Sequence, residues 1–208
     1  MSSAYFISDL HLDADRPALT VTLAHFLRTI SDCDSLYILG DLFEAWIGDD
    51  DDSDLASEVA GYLRAFRDSG AKLFLMQGNR DFLLGESYSE RCGAVLLDDP
   101  TVIDLYGRPA LLMHGDTLCT ADTDYQAFRR TVRNPAWQAR TLNLPLEERR
   151  TLARQLRRES LDATRDKAQD IMDVTISEVD SAISDHRVDL LIHGHTHRPA
   201  IHELDCGE

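Results

Sequence analysis

The sequence predicts an α/β sandwich, and three observations support this fold class. Short continuous apolar runs rich in Ile, Leu, Phe and Tyr recur along the chain, as is typical of strands that are buried on both faces. Helical patterns lie between several of these runs, which indicates alternating strands and helices. Each run ends in polar residues, and sites in such folds form outside the carboxyl ends of the strands.

The predicted elements follow one another in a regular order. The five apolar runs are "AYFIS", "SLYIL", "KLFLMQ", "ALLM" and "VDLLI", and they lead into "DLH", "GDLFE", "GNRD", "HGD" and "HGHTH". In "TVTLAHFLRTI", Val21, Ala24, Leu27 and Arg28 stand at helical spacing, and Gly70 is expected to end the helix in "LASEVAGYLRAFRDSG".

Composition limits the class of protein. A chain of 208 residues with 43% hydrophobic residues predicts one domain, residues 1–208, with a substantial core. No apolar run approaches the ~18 residues of a membrane-spanning helix, and "MSSAYFISDLHL" lacks the basic start of a signal peptide. The four cysteines are scattered, so we expect reduced thiols and a cytoplasmic protein. A net charge of −16 argues against nucleic acid as a partner.

A basic segment interrupts the strand pattern before the last strand. Between residues 125 and 170, eleven Lys and Arg stand against six acids. Leu152, Leu156 and Leu161 form an apolar stripe within this segment. We expect residues 120–170 to form a helical insertion over the mouth of the site. From the residues alone, the leucines could contact a lipid or simply pack on the core.

The polar motifs offer enough oxygen and nitrogen donors for two metal ions. Seven donors suit two divalent cations about 3.5–4 Å apart, with Asp41 bridging them. We expect the D-x-H and H-x-H pairs to lie on extended backbone, where both side chains of a pair point the same way. The set lacks thiolates and is compatible with Mn²⁺, Fe²⁺ or Zn²⁺. The candidate ligands are Asp9, His11, Asp41, Asn79, His114, His195 and His197.

The acids that follow Asp41 receive more modest predictions. Glu44 is expected at most to support a ligand. The run Asp49–Asp52 is expected to be a solvated loop or the cap of the next helix. One carboxylate of this stretch, Asp41, is therefore assigned to the chemistry.

The five motifs resemble the signature of calcineurin-like metallophosphoesterases across most of the chain. The fold that this resemblance implies is a four-layer αββα sandwich with a helical lid. Within the family, "GDLFEAWIGDD", "GNRDFLLG" and the basic insertion are most similar to the branch that cleaves the pyrophosphate of UDP-2,3-diacylglucosamine in lipid A synthesis. The resemblance implies Mn²⁺-dependent water attack on the α-phosphorus, a UDP-linked diacylated sugar lipid as substrate and peripheral association with the cytoplasmic side of the inner membrane. It implies no obligate protein partner.

The same resemblance implies roles for individual residues. One Mn²⁺ would be held by Asp9, His11, Asp41 and His197, and the other by Asp41, Asn79, His114 and His195. The implied catalytic residues are Asn79, Arg80, His114 and His195. The implied substrate contacts are Asn79, Arg80, Asp122, Tyr125, Ser160, Thr164, Lys167 and His195.

Arg80 stands where most of the wider family has histidine. Arginine does not release its proton in proteins, but it can fork onto phosphate oxygens. This favours cleavage of a P–O–P link, whose leaving phosphate needs no proton, over cleavage of a simple ester. An ion pair between Arg80 and Asp81 is the plainer alternative. Two alternatives for the whole chain also stay open: a dimetal phosphodiesterase with another substrate, or a non-catalytic scaffold on the same fold.

Overall fold

Two β-sheets form the centre of the molecule. The computed structural model describes residues 2–165 and 173–204, with the side chains of 161–165 excepted. The first sheet is parallel, in the order β1-β2-β3-β4, and the second has the order β5-β6-β7, with β5 antiparallel and β7 parallel to β6. The strands are β1 (Ala4–Ile7), β2 (Ser35–Leu39), β3 (Lys72–Met76), β4 (Val95–Leu97), β5 (Thr101–Leu105), β6 (Arg108–Met113) and β7 (Leu191–His193).

Helices connect the strands and cover both sheets. Their bounds are α1 (Pro17–Thr29), α2 (Asp54–Asp68), α3 (Glu86–Cys92), α4 (Thr123–Val132), α5 (Pro135–Leu142), α6 (Leu146–Arg165) and α7 (Ile176–His186). The side chain of Ser53 caps α2 by accepting the Ala56 amide, and Asn134 caps α5 in the same way. Pro17 begins α1, where the missing amide hydrogen costs nothing. No helix within the described residues is long and apolar enough to cross a membrane.

Three packed interfaces make four layers. Because side chains alternate along a strand, Leu36 and Ile38 of β2 face α1–α3, whereas Tyr37 and Leu39 face the second sheet. Between the sheets, the Tyr37 ring stacks on Phe74, with centroids 4.5 Å apart. The far side of the second sheet packs against α7. The order α, β, β, α confirms the predicted fold class.

The helical pattern in "TVTLAHFLRTI" corresponds to α1. Thr20, Leu23 and Leu27 are buried, whereas Val21 is 63% exposed. The predicted helix is therefore confirmed, and of the residues at helical spacing Leu27 lies on its buried face whereas Val21 faces solvent.

The helical insertion lies between β6 and β7. Helices α4–α6 fall within the predicted limits of 120–170, whose last five residues lie outside the described residues. Arg149 of α6 is 4% exposed and donates to both carboxylate oxygens of Asp50, at 2.7 and 2.5 Å, and to the Ile47 carbonyl at 2.7 Å. Gly48 leaves room for this guanidinium, since a Cβ there would meet Arg149 and Leu142.

The acidic run is a loop, as predicted, and Asp50 and Asp52 are exposed, but its carboxylates also have partners that the prediction did not include. Asp50 pairs with Arg149, while Asp51 and Asp52 pair with Arg150. Asp49 accepts from the Gly85 amide at 2.8 Å and the Tyr88 amide at 3.0 Å at the start of α3. Charge complementarity between the acidic run and the basic insertion fixes one end of α6 to the body of the protein.

Candidate active site

The seven predicted donors meet at the carboxyl ends of five strands. Asp9 and His11 follow β1, Asp41 follows β2 and Asn79 follows β3, and the remaining three follow β6 and β7. The structure brings all seven into one centre at the edge where both sheets end. The predicted placement of the motifs at strand ends explains this convergence.

The backbone at these positions differs from the predicted extended form. Asp9, His11, Asp41, His195 and His197 all have positive φ, between 48° and 71°. Each has already left its strand and occupies the left-handed region, which non-glycine residues adopt rarely. The expectation that strand alternation aligns the D-x-H and H-x-H pairs was therefore wrong, because sharp turns aim these side chains.

The first group of donors contains Asp9, His11 and His197. The Nε2 atoms of His11 and His197 lie 3.0 Å apart. Asp9 Oδ1 lies 3.5 Å from His197 Nε2 and 3.9 Å from His11 Nε2. Among the described residues, this buried Asp9 oxygen has no hydrogen-bond partner. Three donor atoms that face one point, one of them an unpartnered carboxylate oxygen, have the chemistry of a cation site.

The second group is built around Asn79. Its Oδ1 lies 3.0 Å from His114 Nε2 and 2.9 Å from His195 Nδ1. His114 Nδ1 donates to the Leu39 carbonyl at 2.9 Å, because a carbonyl can only accept. This bond leaves the Nε2 lone pair of His114 directed into the centre, in the tautomer that a metal ligand requires.

Asp41 lies between the two groups. Its Oδ1 is 3.8 Å from His114 Nε2, and its Oδ2 is 3.7 Å from His11 Nε2. The residue is 1% exposed, and burial raises the pKa of its carboxyl to about 7. A buried carboxylate that is costly to ionise alone gains most from a neighbouring cation. This position fits the bridging role that the sequence suggested.

Two histidines of the centre, His11 and His195, are poised to ligate a metal. Burial lowers the pKa of His11 to about 4, and burial together with nearby His114 lowers the pKa of His195 to about 4. Both rings are therefore neutral near pH 7, as metal ligation requires. With oxygen and imidazole donors and no thiolate, the residues fit two divalent cations.

Asp81 holds the loops that carry Asp41 and Asn79. Its fully buried carboxylate accepts from the amides of Gly78 at 2.7 Å, Leu42 at 2.8 Å and Asp41 at 3.2 Å. Gly78 must be glycine, because a Cβ there would collide with the Asp41 carboxylate. Among the described residues, Asp81 therefore bonds to backbone amides rather than to the Arg80 guanidinium. The acid of the "GNRD" motif, Asp81, was predicted only as a possible ion-pair partner of Arg80, so its role in holding the backbone was missed.

A cavity of about 840 Å³ opens from the centre beneath the insertion. Its polar end includes Asp41, Asn79, Arg80 and His195. Apolar side chains from the core and the insertion line the rest, namely Ile47, Phe82, Leu83, Phe128, Trp137, Leu152, Ala153 and Leu156. The leucine stripe thus faces a cavity at Leu152 and Leu156, while the Leu161 side chain lies outside the described residues. Such a cavity can hold a ligand with one charged and one apolar end.

Arg80 lies where the polar and apolar parts of the cavity meet. Its Nη1 donates to Ser160 Oγ of α6 at 3.3 Å. Its buried Nε has no hydrogen-bond partner among the described residues. Arg80 therefore lines the cavity with a guanidinium that retains donor capacity, as an anion site requires.

The remaining predicted substrate contacts are Asp122, Tyr125, Ser160, Thr164 and Lys167. Ser160 lines the cavity beside Arg80, and Asp122 lines it while capping α4 through the Tyr125 amide at 3.0 Å. The Tyr125 ring lies 5.7 Å from the His195 ring, centroid to centroid. The Thr164 side chain and the whole of Lys167 lie outside the described residues.

A buried charge network behind Tyr125 was missed by the sequence analysis. Asp116 is fully buried and accepts from Tyr125 Oη at 2.5 Å and from Arg129 Nε at 2.8 Å. Burial opposes its ionisation, but His114 and Arg129 hold the pKa of Asp116 at about 2. The sequence feature that could have indicated this network is the acid of the "HGD" motif, Asp116, which stands two residues after the candidate ligand His114. Asp116 fixes α4 against the centre.

Comparison with known proteins places this geometry in a family. The family model described as calcineurin-like phosphoesterase matches residues 3–199. A relative from Marinobacter nauticus, named UDP-2,3-diacylglucosamine hydrolase, is 57% identical over 202 residues, which cover 97% of this chain and 83% of the relative. Relatives with the same name from Cellvibrio japonicus and Xanthomonas campestris are 58% and 54% identical, over 96% and 97% of this chain and 83% and 85% of theirs. The chain therefore belongs to the calcineurin-like phosphoesterase family.

Proposed function

We propose that this protein hydrolyses the pyrophosphate bond of UDP-2,3-diacylglucosamine. The products are UMP and 2,3-diacylglucosamine 1-phosphate, the lipid X of lipid A biosynthesis. The single observation that carries the proposal is the continuity of the seven-donor centre with a large cavity whose far end is apolar. Relatives at 50–58% identity bear the name of this hydrolase. A soluble nucleotide alone would leave the apolar lining without a counterpart.

Two Mn²⁺ ions are proposed as the cofactors. Asp9, His11, Asp41 and His197 would hold one, and Asp41, Asn79, His114 and His195 the other. When bound, the cations supply Lewis acidity and a water of lowered pKa. The two carboxylates neutralise half of the four positive charges, so a net positive charge would remain to attract the pyrophosphate. A centre with more carboxylates would cancel this attraction.

The chain's own residues hold the substrate for in-line displacement. Water attacks the α-phosphorus, the bond to the bridging oxygen breaks, and the sugar 1-phosphate leaves as an anion. Its second pKa is about 6, so departure needs no proton donor at neutral pH. Asn79, Arg80, His114 and His195 are the proposed catalytic residues. Arg80 and His195 hold the developing charge on the phosphoryl oxygens.

The insertion is proposed to bind the rest of the substrate. Asp122, Tyr125 and Ser160 would contact the sugar or its phosphate, and Thr164 and Lys167 are proposed as further contacts. The apolar lining would accept the acyl chains. Arginines on α4–α6 face outward in part, and each basic residue near an anionic membrane adds roughly 1 kcal/mol of attraction. We therefore propose a peripheral position on the cytoplasmic side of the inner membrane.

The test compares three substrates with purified protein and Mn²⁺. We expect UMP from UDP-2,3-diacylglucosamine, at least 100-fold less from the deacylated sugar nucleotide, and no turnover of ADP-ribose. A chelator should abolish the activity, and His114→Ala should lower kcat at least 100-fold while the fold is retained by circular dichroism. Preference for the deacylated compound would refute the lipid substrate. A wild type that binds Mn²⁺ but cleaves none of the three would support a scaffold.

A further inference from the structure

Glu44 occupies a position between the metal centre and the insertion. It follows β2 in the "GDLFE" motif, and its amide donates to the Leu12 carbonyl at 3.0 Å. The side chain is 13% exposed and lines the cavity. Nothing in the proposed reaction requires this carboxylate, so its burial beside the centre needs its own explanation.

One side of the Glu44 carboxylate faces a candidate metal ligand. Oε2 lies 3.4 Å from His11 Nδ1, and His11 Nε2 faces Asp9 and His197. Among the described residues, His11 Nδ1 is buried and has no hydrogen-bond partner in good geometry. A carboxylate at this distance favours the proton on Nδ1, which leaves the Nε2 lone pair for a cation.

The other side of the carboxylate faces the insertion. Oε1 forms an ion pair with Nε of Arg157, a residue of α6 that lines the cavity. Arg16 Nη2 approaches Oε2 at 3.2 Å and donates to the His11 carbonyl at 2.7 Å. Glu44 therefore contacts both His11, which would hold a metal ion, and Arg157, which belongs to the insertion. Glu44 contacts Arg157 through Nε, so the two terminal nitrogens of the guanidinium can still donate to an anion in the cavity.

We propose that Glu44 is a positioning residue that couples the two halves of the site. It orients His11 for the divalent cation and orients Arg157 over the cavity, so that cation binding and substrate binding depend on one carboxylate. The first half concerns Mn²⁺ alone, and the second half rests on the proposed function. Arg157, by contrast, is expected to affect substrate binding but not cation binding.

The experiment measures Mn²⁺ binding and kinetics on the same variants. Isothermal titration of the chelator-treated protein with Mn²⁺ needs no substrate. We expect Glu44→Gln and Glu44→Asp to weaken one Mn²⁺ site at least 10-fold, as supporting partners of metal ligands commonly do. Glu44→Asp keeps the charge but shortens the side chain, so a loss of Mn²⁺ affinity in this variant separates positioning from simple charge attraction. Glu90→Gln, an exposed glutamate of α3, is the matched control and should bind Mn²⁺ like the wild type.

The kinetic arm separates the two contacts of Glu44. At saturating Mn²⁺, Arg157→Ala should raise KM for UDP-2,3-diacylglucosamine at least 5-fold without weakening Mn²⁺ binding, whereas Glu44→Gln should change both quantities. Wild-type Mn²⁺ affinity in both Glu44 variants would overturn the role at His11. An unchanged KM in Glu44→Gln and Arg157→Ala would overturn the coupling. If the wild type failed to hydrolyse this substrate, the proposed function would fall and the Mn²⁺ titration would still decide the role at His11.

Discussion

Replacement of Asp116 with Asn removes a fully buried negative charge that docks α4 against the centre. The carboxylate accepts from Tyr125 and Arg129 and is fully buried. Asn keeps the shape but is neutral, like the protonated acid, and its NH₂ group faces a donor. The contact between the NH₂ group and that donor is the same at every pH, so the pH dependence of the stability difference isolates the free energy of the charge.

The magnitude follows from the pKa of Asp116. The folded protein holds it at about 2, against the ordinary 3.8. The difference corresponds to about 2.4 kcal/mol in favour of the charged form, which Asp116→Asn loses at pH 7. Loss of one partner of a buried ion pair gives a similar or larger cost, about 3–5 kcal/mol.

The sign of the pH dependence is also determined. Because the folded pKa is depressed, the contribution is fully present above about pH 5 and is lost as the pH falls towards 2. At pH 3 the stability gap between wild type and variant should have shrunk to about 1.3 kcal/mol from this cause.

The assay is urea denaturation of both proteins in chelator at pH 7 and pH 3, followed by circular dichroism. Asp32→Asn, an exposed aspartate, is the matched control and should stay within about 0.5 kcal/mol of wild type. A gap that is absent at pH 7, or equally large at both pH values, would refute the reasoning about the Asp116 charge.

Three further predictions concern the anchor, the loop at Gly78 and the thiols. Arg149→Met should lower the free energy of unfolding by about 3 kcal/mol in urea, because the Ile47 and Leu144 carbonyls lose a charged donor; no change would show that α6 is held elsewhere. Gly78→Ala should weaken Mn²⁺ binding at least 10-fold by calorimetry, since its Cβ displaces Asp41; wild-type affinity would contradict the close approach. Burial raises the pKa of the Cys92 and Cys119 thiols to about 12, so about 10⁻⁴ of each thiol is deprotonated at pH 8. Iodoacetamide should therefore leave both thiols unmodified in the folded protein and alkylate them in the unfolded protein, as measured by peptide mass spectrometry.

The sequence predicted the parts of the fold that depend on continuous apolar runs. The five predicted strands correspond to β1, β2, β3, β6 and β7, because the apolar side chains of each pack against layers on both of its faces. Strands β4 and β5 were not predicted. The first has only three residues, and the second alternates between half-buried and exposed positions, so neither has the continuous apolar character of a central strand.

The candidate site divides along a similar line. Residue types at strand ends were enough to predict which seven donors meet, since topology places those ends together. The left-handed turns at Asp9 and Asp41 were not predicted, because positive φ is uncommon even for Asp and His, the non-glycine residues that adopt it most readily together with Asn. Long-range charge pairs such as Asp50 with Arg149 were also missed, because 99 residues separate the partners and the acidic run alone resembles a solvated loop.

The central claim is that water attacks the α-phosphorus of UDP-2,3-diacylglucosamine in this site. Hydrolysis in H₂¹⁸O with Mn²⁺, followed by mass spectrometry of both products, measures where the new oxygen goes. The account predicts one ¹⁸O in UMP, none in the sugar 1-phosphate, and no product when a chelator is present. Label in the sugar 1-phosphate would contradict attack on the α-phosphorus, and chelator-resistant hydrolysis would contradict the metal centre.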